Sequence, residues 1–128
     1  MSNVALICDN DEIRALYEKA LKFYGNDVLY TSKNGPDALI KHRECKAKPE
    51  LVAIDDRFSD TSGVETLRLI LGEFPGTRIN FITEDDTMAK KLEQYKSVVV
   101  VLKPIEPFMN QNSKPFDKVL YDTWIGKH

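Results

Sequence analysis

The chain has 128 residues, is 42% hydrophobic and 30% charged, and carries a net charge of −2. That is enough chain for one globular domain with a buried core, and it excludes a disordered polymer. The slight acidity does not favour nucleic acid as a direct partner, since such domains usually carry a basic face, and no apolar run approaches the ~20 residues that span a bilayer.

Met1-Ser2-Asn3-Val4 lacks the charged-then-apolar pattern of a signal peptide, so the expected location is the cytoplasm. Two cysteines, Cys8 and Cys45, are too few for a disulfide framework or a zinc site and read as reduced packing residues.

Short apolar runs alternate with longer amphipathic ones. Val4 to Ile7 is rich in branched residues and too short for a helix, so it reads as a buried strand. Asp9, Asn10, Asp11 and Glu12 follow, and acidic residues suit a helix N-terminus. Ile13, Leu16, Tyr17, Ala20, Leu21 and Tyr24 then mark one apolar helix face, stopped by Gly25. Val28 to Thr31 is a second strand. Asn34-Gly35-Pro36-Asp37 reads as a break, with a short helix from Ala38 to about Cys45. Leu51 to Ile54 is the third strand, followed by Asp55, Asp56 and a polar loop to Gly63.

Ser62 with Glu65 three residues on looks like a capping box, and Val64 to Phe74 has helical spacing. Ile79 to Ile82 is the fourth strand, ending at Thr83, with a weaker helix over Thr87 to about Tyr95. Val98 to Leu102 is the fifth strand, ending at Lys103-Pro104. An irregular stretch of about 105–114 precedes a short helical face around Phe116 to Ile125. No repeat or linker interrupts the chain, so residues 1–128 read as one domain. Alternating strands and helices imply parallel β-α units. Continuous apolar strands imply a sheet covered on both faces, a three-layer α/β domain that binds ligands beyond the carboxyl ends of its strands.

Four strands end in a polar group: Asp9, Asp55, Thr83 and Lys103. Singly, each has an ordinary explanation: helix caps for the aspartates, a turn for Thr83, a solvated cation for Lys103. A parallel sheet puts all four on one edge. If the strand order is 2-1-3-4-5, Asp9 and Asp55 meet at the switch point. Two adjacent carboxylates need a neutralising cation, which Lys103 and a hard ion such as magnesium supply. A carboxylate beside a metal, a hydroxyl and an ammonium suits phosphoryl transfer. Asp56 and Asp60 read as ordinary loop acids, and Glu84-Asp85-Asp86 as a solvated acidic turn.

These residues resemble the receiver domain of two-component response regulators over residues 4 to about 107. The resemblance rests on the apolar strand before Asp55 with Gly63 eight residues later, on Phe81-Ile82-Thr83, and on Leu102-Lys103-Pro104. It implies a flavodoxin-like, doubly wound, five-stranded parallel sheet of order 2-1-3-4-5, and a phosphorylation-dependent signalling switch rather than a turnover enzyme. Asp55 would accept phosphate from a histidine kinase, a phosphotransfer protein or a small phosphodonor. Asp9, Asp55 and the backbone carbonyl of Arg57 would hold Mg2+. Thr83 and Lys103 would contact the phosphoryl group.

A downstream protein partner and a homodimer through the family's common dimer face are also implied. Nucleic-acid binding by this chain and membrane insertion are not.

Several positions depart from the family pattern. Cys8 or Asn10 stands where a second acid is usual, which weakens the expected magnesium site. Ser59 replaces a frequent proline, and Val100 replaces the aromatic residue that reports activation. The 105–114 connection is long. An Arg57–Asp85 pair across the mouth could exclude hydrolytic water. The runner-up reading is a pseudo-receiver, a protein-interaction module that no longer needs phosphate. An aspartyl-phosphate phosphatase is disfavoured because Arg57 stands where a second acid is needed. A flavin-binding protein is disfavoured because residues 8–12 are acidic.

Overall fold

A computed structural model describes residues 3–56 and 62–102. Five strands, β1 (Asn3–Ile7), β2 (Asp27–Ser32), β3 (Leu51–Asp55), β4 (Arg78–Thr83) and β5 (Val98–Leu102), alternate with four helices. The helices are α1 (Asp11–Phe23), α2 (Gly35–Glu44), α3 (Gly63–Glu73) and α4 (Met88–Lys91). The strands form one sheet of order β2-β1-β3-β4-β5, and every neighbouring pair is parallel. The expected flavodoxin-like order is therefore the observed one. Its switch point lies between β1 and β3.

Strand periodicity divides the core in two. Leu6, Ala53 and Ile82 face α1, where Ile13, Tyr17, Ala20 and Leu21 cover them. Ile7, Ile54, Ile79 and Phe81 face the other way, against Leu67 and Ile70 of α3 and Met88 of α4. The central strands are apolar on both sides because both sides are covered, so β3 is buried along its whole length.

Local chemistry sets the boundaries. In α1, the Asn10 side chain accepts a hydrogen bond from the Ile13 amide at 2.9 Å. After α1 the chain turns at Gly25 with φ of 88°, a left-handed conformation that glycine adopts without steric cost. The expected break at Asn34-Gly35-Pro36-Asp37 is instead the first turn of α2. Asn34 caps it by accepting from the Asp37 amide at 2.8 Å, and Pro36 lies where a helix needs no N–H. α2 thus starts three residues before the expected Ala38. Ser62 accepts from the Glu65 amide at 3.0 Å, the serine half of the expected capping box. α4 is only four residues long, and the chain beyond it turns through Tyr95, whose amide donates to the Leu92 carbonyl at 3.0 Å.

Candidate functional site at the carboxyl edge of the sheet

The register fixes what meets at the carboxyl edge. Ile7 of β1 is opposite Ile54 of β3, so one step further places Cys8 beside Asp55, with Asp9 next. Asp55 is opposite Ile82, and Thr83 follows at the end of β4. Thr83 is opposite Leu102, the last described residue of β5. Lys103 follows in sequence and lies outside the described residues, as do Arg57, Ser59, Pro104, the 105–114 connection and the expected last helix.

Asp55 is fully buried. Its Oδ2 accepts a hydrogen bond from the Tyr17 hydroxyl at 2.8 Å. Tyr17 comes from the middle of α1 and is also fully buried, on the helix face that seals the β1–β3 side of the sheet. Sequence reasoning assigned Tyr17 to an apolar helix face, where its ring is. The hydroxyl at the tip reaches the acid, a detail that period alone does not carry.

Asp56 points to the opposite face, as alternation along a strand requires. Its Oδ1 accepts from the Gly63 amide at 3.2 Å and its Oδ2 from the Thr83 hydroxyl at 3.2 Å. Asp56, read from sequence as an ordinary loop acid, thus joins the end of β3, the first residue of α3 and the end of β4. The signal available for it was the pair Asp55-Asp56: adjacent residues on a strand end must face opposite ways. Thr83 is nearly fully buried, and its Oγ1 also accepts from the Asp85 amide at 3.1 Å. In this structure the described partner of the Thr83 hydroxyl is Asp56 rather than Asp55.

Gly63 explains its own identity. A Cβ there would lie 2.5 Å from Asp56 Oδ1 and 2.9 Å from Phe81 Cζ, so the helix start approaches β3 and β4 more closely than a side chain allows.

Cys8 is buried, and its thiol lies 3.7 Å from the Asn10 carbonyl oxygen. The Cys8 carbonyl accepts from Arg14 Nη1 at 2.9 Å. Asp9 is half-buried at the same edge. Asp85 has its own partners: Oδ1 accepts from the Thr87 amide at 2.9 Å and hydroxyl at 2.6 Å, and Oδ2 lies 3.4 Å from Lys91 Nζ. Those Thr87 hydrogen bonds hold its carboxyl below the usual range. Arg57, the other half of the expected Arg57–Asp85 pair, lies outside the described residues. Val100 is half-buried against the β3–β4 side of the core.

The donor chemistry fits a hard cation only sparingly. Asp9 and Asp55 offer carboxylate oxygens, and magnesium accepts one or two carboxylates while keeping waters. The remaining nearby position holds the soft thiol of Cys8. Among the described residues no group of three His, Cys, Asp or Glu side chains could hold a metal by itself.

A buried acid, Asp55, and the half-buried Asp9 at the carboxyl edge, at the switch point of a 2-1-3-4-5 sheet, with a buried threonine hydroxyl one strand away, define a receiver-like α/β domain. Comparison with known proteins agrees. The sequence is 33% identical over 66 residues to the two-component response regulator ARR22 of Arabidopsis thaliana. That match takes in 52% of this chain and 46% of the relative, so the chain spans about half the length of the curated relative it matches. No family model matches the chain.

The fold is similar to CheY of Borrelia burgdorferi, solved in complex with CheX, BeF3 and magnesium. The TM-score is 0.73 at 18% identity, covering 82% of this chain and 80% of that one. TrrA of Thermotoga maritima, a response regulator solved with Mg2+ and BeF, gives 0.69 at 23% identity, covering 83% and 90%. The receiver domain of PhyR from Erythrobacter litoralis gives 0.67 at 25% identity, covering 98% and 87%. The chain resembles response regulator receiver domains in both sequence and fold. No helix among the described residues is long and apolar enough to cross a membrane.

Proposed function

We propose that the chain is a phosphorylatable receiver, a switch that takes a phosphoryl group on Asp55 and changes its affinity for a protein partner. The observation that carries this reading is the position of Asp55, closing β3 at the carboxyl edge beside the end of β1. An Asp55 carboxylate oxygen would attack the phosphorus of a phosphohistidine or small phosphodonor. The bond to the leaving group breaks, and a leaving imidazole takes up a proton from solvent. Magnesium, held by Asp9, Asp55 and the Arg57 carbonyl, would neutralise the carboxylates and the phosphoryl oxygens. Lys103 would bind the same oxygens.

Thr83 would report the event. Its hydroxyl is now donated to Asp56, so contact with a phosphoryl group on Asp55 requires it to leave that carboxylate. One charge-assisted hydrogen bond is exchanged for another, which keeps the two states close in energy. Val100 has no ring to swing, so Thr83 and the loops beside it carry the change to the surface.

The donor would be a histidine kinase or phosphotransfer protein, and the output a second protein in the cytoplasm or a second copy of this chain. Residues 1–128 form a single receiver with an atypical 105–114 connection, and the chemistry is its own modification rather than turnover of an external substrate.

Burial of Asp55 against Tyr17, and the thiol at Cys8, favour the second reading, a pseudo-receiver that binds partners without phosphate. Incubation with acetyl phosphate and a range of magnesium concentrations, followed by intact mass, separates the two. A single phosphoryl gain that requires magnesium supports the switch. No gain at any magnesium concentration supports the pseudo-receiver.

A further inference from the structure

The contact between Tyr17 and Asp55 is the feature that the receiver reading does not use. A tyrosine hydroxyl buried in a helix–sheet core needs a partner, and an aspartate carboxylate buried at a strand end needs a donor. Here each serves the other at 2.8 Å, and both side chains are fully buried. The ring is fixed by the α1 face that also buries Ile13, Ala20 and Leu21, so the hydroxyl is held in place by the helix rather than by a loop.

We propose that Tyr17 is a positioning residue that sets how readily Asp55 holds a phosphoryl group, drawing the balance toward the free carboxylate. This inference rests on Asp55 as the acceptor. With Oδ2 engaged by Tyr17, attack falls to Oδ1. With acetyl phosphate as donor, an Oδ1 electron pair forms the new O–P bond. The P–O bond to the acetyl group breaks, and acetate leaves with its electron pair.

Asp55 thereby changes from an anionic carboxylate into an acyl phosphate, whose remaining carbonyl oxygen is Oδ2. A hydrogen bond to a carboxylate is roughly twice as strong as one to a neutral carbonyl. The Tyr17 bond therefore weakens when the phosphoryl group arrives. It strengthens again when water attacks phosphorus and the Asp55 carboxylate departs. The same contact opposes phosphorylation and favours hydrolysis.

The test compares the full chain with its Tyr17→Phe variant, which keeps the ring and removes only the hydroxyl. Each is incubated with acetyl phosphate and magnesium. The phosphorylated-to-free ratio is read by intact mass, and the decay rate is read after the donor is removed. Thermal melting of each protein checks that it is folded. Tyr17→Phe should raise the ratio by about five- to tenfold and slow the decay. A loss of packing alone would lower the melting temperature and leave the ratio unchanged.

Monofluorotyrosine introduced at position 17, a stronger donor on the same ring, should lower the ratio, and it serves where Tyr17→Phe does not fold. A ratio within about twofold of the parent, or a lower one, in a phosphorylated Tyr17→Phe protein overturns the role of Tyr17 and leaves Asp55 as acceptor. Absence of phosphate on both proteins overturns the acceptor reading and this inference together. Uptake by Tyr17→Phe alone supports both.

Discussion

Gly63 meets two demands at once: its amide donates to Asp56 Oδ1, and its Cα lies against Phe81. Gly63→Ala would place a methyl group 2.5 Å from the carboxylate oxygen and 2.9 Å from the ring. Phe81 is fully buried and cannot yield cheaply, so the adjustment falls on Asp56. The expected cost is about 1–3 kcal/mol, read from urea unfolding. A loss under ~0.5 kcal/mol would mean that the helix start shifts freely and that glycine is not required there. Spacing brought Asp55, Thr83 and Gly63 to notice because their positions at strand and helix ends are written in the chain. The partner of the Tyr17 hydroxyl was not legible, and for Asp56 the chain showed that it faces away from Asp55 but not which groups it meets there. Which partner a polar tip finds depends on the distance between α1 and β3 and on how closely α3 and β4 approach the end of β3.

Helix and strand boundaries follow local chemistry, and the start of α2 shows how one was misread. Asn34-Gly35-Pro36-Asp37 has the composition of a break, yet the same residues cap and open α2. Turn and helix-start signals share asparagine and proline, and the choice between them is made by what packs next. Here Gly35 lies so close to α3 that a Cβ would be 2.8 Å from Thr66 Oγ1. Asn34→Ala removes the acceptor for the Asp37 amide and should cost about 1 kcal/mol in urea unfolding, whereas Asn34→Asp should cost far less. Equal losses in the two variants would show that the cap is not what starts the helix. α4 was expected to run to about Tyr95 and stops at Lys91, since only Met88 and Leu92 bury themselves in that stretch.

For the whole molecule, continuous apolar strands alternating with helices made the parallel three-layer architecture legible, and the order 2-1-3-4-5 came from the resemblance to receiver domains. Lys103, Arg57 and the last helix, which the sequence reading places at the site and the partner face, lie outside the described residues.

One buried group links the whole fold to pH. His42 is fully buried in α2, with Nδ1 2.8 Å from the Tyr30 hydroxyl and its ring against Phe74. Burial, and then the nearby Lys48 ammonium, hold its pKa below the ordinary value of 6.5. The unfolded chain therefore takes up a proton near pH 6.5 that the folded chain refuses, so stability falls as pH drops from about 7 toward 5.5. Asp37, held low chiefly by the Ser32 hydroxyl, also loses its contribution on acidification, but at lower pH, from near its ordinary 3.8 downward. His42→Gln should flatten the urea midpoint between about pH 7 and pH 5.5. An unchanged slope would place the titration elsewhere.

Asp55, not its neighbour Asp56, is the proposed acceptor of the phosphoryl group. Intact mass after acetyl phosphate and magnesium, run on the parent chain beside Asp55→Asn and Asp56→Asn, tests it most directly. One phosphoryl gain is expected in the parent, none in Asp55→Asn, and a retained gain in Asp56→Asn. A gain that survives Asp55→Asn and disappears in Asp56→Asn would contradict it.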